Sequence, residues 1–180
     1  EILQRMEKLG ALISIVDLGG GLGIDYDNPD DNIIPDFKAY FETLAANLSL
    51  SPGQQLHVEP GRSIVAQSGT LLTRVLYVKE GTVKKFAIVD AGMTDLIRPA
   101  LYQAHHKIQN ISSNSMVDDV YDVVGPICES SDCFGTDERL PIVSRGDILA
   151  LRSAGAYGEV MASRYNCRNL PGCVFSTDID

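Results

Sequence analysis

The chain has 180 residues, enough for one domain or parts of two. With 44% hydrophobic and 22% charged residues, it has the composition of a globular protein rather than a disordered or fibrous one. Because 15 Lys and Arg stand against 24 Asp and Glu, the net charge of -9 repels phosphate backbones and anionic lipid, and neither nucleic acid nor membrane is an expected partner. No apolar run reaches the roughly 20 residues of a membrane span and no signal-like segment opens the chain, so we expect a cytoplasmic protein.

The first residues predict a helix followed by a strand. Apolar residues recur at helical spacing from Ile2 to Leu9, and Gly10 supplies a stop. This helix begins without a cap, so we expect the sequence to be cut from a longer protein. Residues 13–18 are a short apolar run before a glycine cluster, a pattern that predicts a buried strand leading into a loop.

A second helix and strand follow. Pro35 lies where the first turn of a helix tolerates proline, and an apolar stripe runs from Phe37 to Leu48. Residues 55–59 predict another strand. Helix, strand, helix and strand in this order, with loops at the carboxyl ends of the strands, indicate a parallel α/β barrel or sheet.

The pattern changes to antiparallel strands after residue 68. A hairpin turns at Glu80 and Gly81, and the polar residues 111–119 predict a loop. The predicted strands are residues 71–79, 83–89, 121–124 and 148–151. The predicted fold class is therefore α/β plus β, with the end of a β/α barrel in residues 1–68 and a mostly antiparallel β domain, barrel or sandwich, in residues 69–180.

Two loops after strands are candidates for binding one anion. Gly20 and Gly21 follow the first strand, where glycines let backbone amides approach a phosphate closely. Gly61 and Arg62 follow the second strand and could cap the same phosphate, while Glu59 could accept a hydrogen bond from a protonated ring nitrogen. A tight turn and a solvated ion pair are the alternative interpretations.

A third candidate is the segment that begins at Cys128. Its neighbours Glu129 and Asp132 are acidic, and negative neighbours keep a thiol protonated, as a general acid requires. The alternative is a buried cysteine that packs as a small apolar side chain.

Six segments occur in the order seen in diaminopimelate decarboxylases, and the chain resembles that family from Asp17 to Arg168. The segments are the glycine loop, residues 59–62, 89–93, 98–102 and 128–132, and residues 154–158. The related ornithine and arginine decarboxylases share the first two, whereas the Cys-Glu-Ser-Ser-Asp segment points to the diaminopimelate branch. The resemblance implies a fold-type III enzyme that uses pyridoxal 5'-phosphate, with an alanine-racemase-like TIM barrel followed by the β domain.

The resemblance also implies which residues hold the cofactor. The phosphate-binding residues would be Gly20, Gly21, Gly61 and Arg62. Glu59, next to Pro60 in the same cofactor-binding segment, would keep the pyridine nitrogen protonated.

The substrate-binding residues follow from the same resemblance. Those that would grip the distal carboxylate are Arg62, Arg98 and Tyr102; Glu129 would take the distal ammonium group, Tyr157 would contact cofactor and substrate, and Cys128 would reprotonate the substrate carbon. Because Cys128 and Glu129 are expected to serve the other subunit's active site, a homodimer is implied. The implied reaction is decarboxylation of meso-2,6-diaminopimelate to L-lysine, the last step of lysine biosynthesis.

The chain departs from the family pattern in two places. The lysine that binds the cofactor covalently lies in the N-terminal half of such enzymes, and no lysine here has a matching context; residues 169–180 also match weakly. We therefore expect no decarboxylation by these 180 residues alone. The alternatives are a decarboxylase of another basic amino acid or of carboxynorspermidine, and a noncatalytic homologue that binds pyridoxal phosphate.

Metal sites are not expected. Four cysteines form two pairs, Cys128 with Cys133 and Cys167 with Cys173. Structural zinc prefers two to four residues between paired ligands, whereas these pairs enclose four and five and the stretch between the pairs is long. The acidic run at residues 25–31 has Pro29 at a calcium-ligand position, so a solvated loop is the better interpretation. His105 and His106 are adjacent and so do not share a helix face; we expect them to be polar loop or interface residues.

Overall fold

The computed structural model describes residues 2–178. Its N-terminal portion, residues 2–68, contains the predicted helix, strand, helix and strand: α1 (Ile2–Lys8), β1 (Ile15–Asp17), α2 (Phe37–Asn47) and β2 (Gln55–His57). β1 and β2 pair in parallel, with Ile15 opposite Gln55. The parallel pairing confirms the prediction for this part of the chain.

Two details of the N-terminal portion differ from the prediction. Asp36 caps α2, because its carboxylate accepts a hydrogen bond of 2.8 Å from the amide of Ala39, so Pro35 precedes the helix instead of opening it. The prediction that β1 is buried is wrong. Neither β1 nor β2 contains a buried residue, because their sheet has only two strands among the residues described.

A short helical connection joins the two parts of the molecule. α3 (Arg62–Val65) continues into a 3-10 turn at Ala66–Ser68, and β3 begins three residues later. The prediction that a new domain begins at residue 69 places the boundary directly after this connection.

The sheet domain, residues 69–178, is a six-stranded mixed sheet. Its elements are β3 (Leu71–Glu80), β4 (Lys85–Val89), α4 (Arg98–Tyr102), β5 (Ile108–Asn110), β6 (Asp118–Val124), β7 (Cys133–Pro141) and β8 (Ile148–Leu151), in the order β5-β8-β3-β4-β6-β7. Only the pairing of β4 with β6 is parallel. The edge strands β5 and β7 also contact each other, so the sheet nearly closes into a barrel.

Closure of the sheet creates one hydrophobic core. Val75, Val89, Val123, Leu149 and Leu151 are at most 1% exposed and come from four of the strands. In the first half of β3, Leu71, Thr73 and Val75 face inward in alternation, as the period of a strand requires, and an irregularity between Val75 and Tyr77 then shifts the pattern. The sheet domain is therefore stabilised by apolar burial of its own.

The predicted strands correspond to β3, β4, β6 and β8, and the predicted hairpin is formed by β3 and β4. The predicted loop at residues 111–119 ends where β6 begins, at Asp118. β5 and β7 were not predicted as strands. No helix in the described part of the chain has the length and apolar content needed to cross a membrane.

Candidate functional site

The glycine loop after β1 is fixed against the loop after β2 by backbone hydrogen bonds. The amide of Leu18 donates to the carbonyl of His57 at 3.1 Å, and the amide of Glu59 donates to the carbonyl of Gly19 at 2.6 Å. Asp17 accepts from the amide of Gly19 at 2.8 Å and tightens the first turn. The two loops thus continue the parallel pairing beyond the strands.

Gly20 shows how closely the two loops approach. A Cβ atom at this position would lie 2.7 Å from the carbonyl oxygen of Glu59, so any side chain would push the loops apart. The hydroxyl of Tyr40, on α2, donates to the carbonyl of Gly20 at 3.1 Å and holds the loop from the other side. The two turns lie side by side, as the sequence predicts.

The sheet domain contributes Tyr157 to the same place. A Cβ at Gly61 would lie 3.4 Å from the hydroxyl oxygen of Tyr157. The turn that carries this tyrosine is fixed by Gly155, whose amide donates to the carbonyl of Ala66 at 2.9 Å. Gly20, Glu59, Gly61 and Tyr157 therefore line one region, where the side chains of Glu59 and Arg62 are exposed.

Arg98 is the most deeply buried of the predicted site residues. It begins α4 and is 4% exposed. Its Nη1 donates to the hydroxyl of Tyr26 at 2.8 Å and to Nε2 of His106 at 3.0 Å, and its guanidinium lies 5.3 Å from the centre of the Tyr26 ring. Within residues 2–178 no Asp or Glu oxygen lies within 4.0 Å of it. This buried cation thus has only neutral protein partners.

His106 lies in the loop between α4 and β5, as the sequence predicts, and is fully buried beside Arg98. Its Nδ1 lies 3.0 Å from the carbonyl oxygen of Arg152. Burial lowers the pKa of His106 to about 4, and the positive charges of Arg98, His105 and Arg62 act in the same direction. The imidazole is therefore neutral at pH 7.

The acidic run at residues 25–31 is bound to the sheet domain. Asp27 lies 3.2 Å from His105, and Asp30 forms an ion pair of 2.5 Å with Arg152. The side chain of Gln67 donates to the carbonyl of Pro29 at 3.1 Å. The interpretation as a solvated loop is confirmed, since the segment has no regular structure and Asp27, Asp30 and Asp31 are exposed. The loop nevertheless, with Tyr26, joins the two parts of the molecule.

Cys128 and Glu129 lie on the exposed loop between β6 and β7. The amide of Cys128 is 3.4 Å from the side-chain oxygen of Asn166, and Glu129 accepts a short hydrogen bond from the hydroxyl of Tyr165. This hydrogen bond raises the pKa of Tyr165. The segment that contains Tyr165 and Asn166 thus covers one side of the loop.

Asp132 anchors the base of the Cys128 loop. Its two carboxylate oxygens accept hydrogen bonds of 2.6 Å from the amides of Met93 and Ile127. Burial raises the pKa of this carboxyl group, although both amide donors oppose the change. Asp132 therefore joins the segment after β4 to the loop after β6.

The predicted site residues fall into two groups. No hydrogen bond or ion pair among residues 2–178 joins Cys128 or Glu129 to the glycine loops or to Arg98. Tyr102 ends the helix that Arg98 begins, one turn away, and is 60% exposed. The four cysteines are free, and the described residues contain no group of three side chains able to hold a metal ion.

Residues 15–155 match the family described as pyridoxal-dependent decarboxylase, C-terminal sheet domain. The chain belongs to the pyridoxal-dependent decarboxylases. The predicted fold class, a barrel end followed by a mostly antiparallel sheet domain of a fold-type III decarboxylase, is confirmed by this match and by the sheet topology.

Relatives of this decarboxylase chain are named diaminopimelate decarboxylase, the family that the sequence motifs resemble. It is 61% identical to the diaminopimelate decarboxylase of Bacteroides thetaiotaomicron over 95% of its own length and 44% of that protein. It is 47% identical to the diaminopimelate decarboxylase of Archaeoglobus fulgidus over 96% of its length and 41% of that protein. The crystal structure of diaminopimelate decarboxylase from Helicobacter pylori complexed with L-lysine superposes with a TM-score of 0.78 at 42% identity, over 94% of this chain and 41% of that one. The chain thus spans less than half the length of these relatives.

The loops of this decarboxylase fit the phosphate of a pyridoxal cofactor. At Gly20 the absence of a side chain is obligatory, and the positive φ of 106° at Gly21 turns the backbone in a way that favours glycine. Exposed Arg62 adds a cation beside the second loop. The predicted cofactor is that of the family.

The side-chain partners of Arg98 and Glu129 were not predicted: they are Tyr26, His106 and Tyr165. Tyr26 is separated from Arg98 by 72 residues, and Tyr165 from Glu129 by 36. His106 follows Arg98 by only 8 residues, but its other hydrogen-bond partner is the carbonyl of Arg152, 46 residues later. The adjacent pair His105 and His106 was the one local signal.

Proposed function

We propose that this chain is the C-terminal part of a diaminopimelate decarboxylase that converts meso-2,6-diaminopimelate to L-lysine. The observation that carries the proposal is the buried guanidinium of Arg98, which has no acidic partner among residues 2–178. A buried charge is costly unless it is paired, and a planar guanidinium pairs best with a carboxylate. An anionic ligand that completes this pair would therefore gain much of its affinity here.

The nature of this ligand distinguishes the candidate substrates. Diaminopimelate has a second carboxylate and ammonium group at the end that does not react, whereas ornithine and lysine have only an ammonium group there. Arg98 and Arg62 supply positive charge for that carboxylate, and Tyr102 adds a hydroxyl one helical turn from Arg98. Glu129, in the second subunit, would take the ammonium group. This set of charges favours diaminopimelate over a substrate without a distal carboxylate.

The cofactor would be held by the two adjacent loops. The residues that would cradle the phosphate are Gly20, Gly21, Gly61 and Arg62, with Pro60 shaping the second loop. Glu59 would keep a proton on the ring nitrogen by accepting its hydrogen bond, and Tyr157 would contact cofactor and substrate. When bound, pyridoxal phosphate supplies a ring that withdraws electrons from the carbon that loses carbon dioxide.

Cys128 would return a proton to that carbon. Its thiol is exposed on the loop that Asp132 anchors, so it is free to reach a neighbouring subunit. Among residues 2–178 no hydrogen bond or ion pair joins the loop to the glycine loops or to Arg98, which supports a homodimer in which Cys128 and Glu129 complete the partner's site.

A chimera tests the proposed reaction. Residues 2–178 would replace the matching 44% of the Bacteroides thetaiotaomicron protein, a substitution between sequences that are 61% identical. We expect carbon dioxide release from meso-diaminopimelate, at least about 100-fold faster in kcat/KM than from ornithine or lysine. The 180-residue chain with added pyridoxal phosphate should show no turnover. A folded chimera that binds cofactor but is inactive on meso-diaminopimelate would refute the proposal.

A complementation experiment tests the shared site. The Cys128→Ala and Arg62→Ala chimeras should each be inactive. If one subunit supplies Cys128 and the other Arg62, mixed dimers have one intact site, and random mixing restores about a quarter of the parental activity. A mixture that remains inactive although mixed dimers form would place both residues in one subunit's site.

A further inference from the structure

We propose that His106 is a positioning residue that, together with Tyr26, holds the guanidinium of Arg98 with one edge turned to the substrate's distal carboxylate. This inference rests on the proposed function, because it assigns Arg98 to substrate binding. It adds two residues that do not touch substrate or cofactor but determine which nitrogen atoms of Arg98 can do so.

The hydrogen bonds of Arg98 leave one edge open. A guanidinium has five N–H groups in a fixed plane, and two of them belong to Nη1. Both Nη1 hydrogens are used, because this atom donates to Tyr26 at 2.8 Å and to His106 at 3.0 Å. Within residues 2–178, Nε and Nη2 have no hydrogen-bond partner, and neither is sealed from solvent. A carboxylate can therefore bind side-on to the Nε and Nη2 edge.

The tautomer of His106 follows from its partners. A guanidinium has no acceptor, so Nε2 of His106 must accept, and the ring proton must be on Nδ1. Nδ1 then donates to the carbonyl of Arg152, whose own side chain pairs with Asp30 and Gln109. The imidazole is thus fixed at both ends, which fixes the plane of the guanidinium.

A charged imidazole would break this arrangement. Protonated Nε2 cannot accept from Arg98, and two cations would then face each other in a buried site. The charged groups around His106 are Arg98, Arg62 and His105, with the carbonyl of Arg152 as the acceptor, so no acidic group in this set favours the charged form. The edge-on contact with Tyr26, with ring centres 5.1 Å apart, completes the enclosure.

The test uses two ligands of the chimera that differ by one carboxylate. L-Lysine keeps the distal carboxylate of the substrate, whereas cadaverine has no carboxylate. Inhibition constants for both would be measured with the parent and with the His106→Leu, His106→Gln and Tyr26→Phe variants. His106→Leu keeps an apolar side chain but loses the acceptor, and His106→Gln keeps an acceptor for Arg98.

We expect His106→Leu to weaken inhibition by lysine about 10-fold or more and inhibition by cadaverine less than about 2-fold, since only lysine depends on the guanidinium edge. KM for meso-diaminopimelate should rise by a factor similar to that of the inhibition constant for lysine, while kcat changes less. His106→Gln should recover most of the loss. Tyr26→Phe, which removes one of the two acceptors of Arg98 Nη1, should weaken inhibition by lysine about 3-fold.

The outcomes separate this inference from the proposed function. An inactive parent chimera would refute the proposed function itself. An Arg98→Leu variant that lysine inhibits as strongly as it inhibits the parent would refute the role of Arg98. With both intact, equal changes for lysine and cadaverine in His106→Leu would overturn the positioning role. If His106→Leu does not fold, His106→Gln and Tyr26→Phe decide: an unchanged lysine to cadaverine ratio in Tyr26→Phe overturns the proposal.

Discussion

The N-terminal portion and the sheet domain are stabilised in different ways. In the sheet domain, strands far apart in the sequence close around buried apolar residues such as Val75, Leu149 and Leu151. In the N-terminal portion, neither α1, α2, β1 nor β2 contains a buried residue, and Leu12 and Ile2 are 101% and 78% exposed. Regular secondary structure therefore forms in both parts, but among residues 2–178 the buried apolar core comes from the sheet domain.

What holds the N-terminal portion in place is a set of polar contacts to the sheet domain. Tyr26 accepts from Arg98, Asp30 pairs with Arg152, and the turn at Gly155 is hydrogen-bonded to Ala66. These contacts surround the glycine loops and Tyr157. The candidate site thus lies where the glycine loops are fixed to the sheet domain, and within residues 2–178 its geometry depends on a few directional bonds.

The largest expected difference between the two parts is the effect of the same substitution in each. Leu149→Ala, at a position that is 0% exposed, should lower the free energy of unfolding by about 2–5 kcal/mol because it leaves a cavity in a closed core. Leu12→Ala, at a fully exposed leucine, should change it by less than about 0.5 kcal/mol. Urea unfolding of the 180-residue chain, followed by circular dichroism, measures both. Equal effects would contradict the comparison.

The second prediction concerns the buried imidazole at the junction. His106 has its pKa lowered from 6.5 to about 4, so between these values the unfolded chain binds a proton that the folded chain does not. Stability should therefore fall as pH decreases from 6.5 to 4, by up to about 3 kcal/mol, and not fall further from this cause below 4. His106→Gln should lack this part of the pH dependence.

Urea unfolding of the chimera and its His106→Gln variant at pH 7 and pH 4.5 isolates this effect, because all other titrating groups are shared. The difference in unfolding free energy between the chimera and its His106→Gln variant should become smaller as the pH falls. Parallel pH dependence in the two proteins would mean that His106 is charged or exposed in the folded state.

The sequence predicted elements whose pattern is local and failed where pairing is distant. The alternation in β3 and the apolar stripe of α2 are visible in one segment. β7 carries Asp137, Glu138 and Arg139 in succession at a sheet edge, so it has no clear alternation. β5 has three residues and becomes a strand only by pairing with β8, some 40 residues later. Long-range pairing decides both.

The same limit applies to the candidate site. The convergence of the two loops was predictable because parallel neighbouring strands end at the same edge of a sheet. The partners of Arg98 were not, since Tyr26 lies in the other part of the molecule and the carbonyl of Arg152 that orients His106 follows it by 46 residues. A motif identifies the residue that meets the ligand more readily than those that hold it.

A smaller effect is expected from the anchor of the Cys128 loop. In Asp132→Asn an NH2 group replaces one carboxylate oxygen, so one of the two backbone amides loses its acceptor and faces a second donor. The free energy of unfolding should therefore fall by about 1–3 kcal/mol. Exposed Asp118→Asn is the matched control and should be nearly neutral. In the chimera, Asp132→Asn should also lower kcat, because Cys128 is carried by this loop. A neutral effect on both stability and kcat would show that the loop does not need the anchor.

The smallest effect tests the polar contacts that join the two parts. The Asp30 and Arg152 pair is partly exposed, so a double-mutant cycle with Asp30→Asn and Arg152→Gln should give a coupling of about 0.5–1 kcal/mol, and less at high salt. Its consequence should be local: in Asp30→Asn the amides of residues 25–32 should exchange hydrogen faster while those of β3 and β8 do not change. Asp31→Asn, an exposed neighbour, is the control. Faster exchange in the core strands as well would mean that the two parts unfold together, and that the contacts at the junction belong to a single cooperative structure.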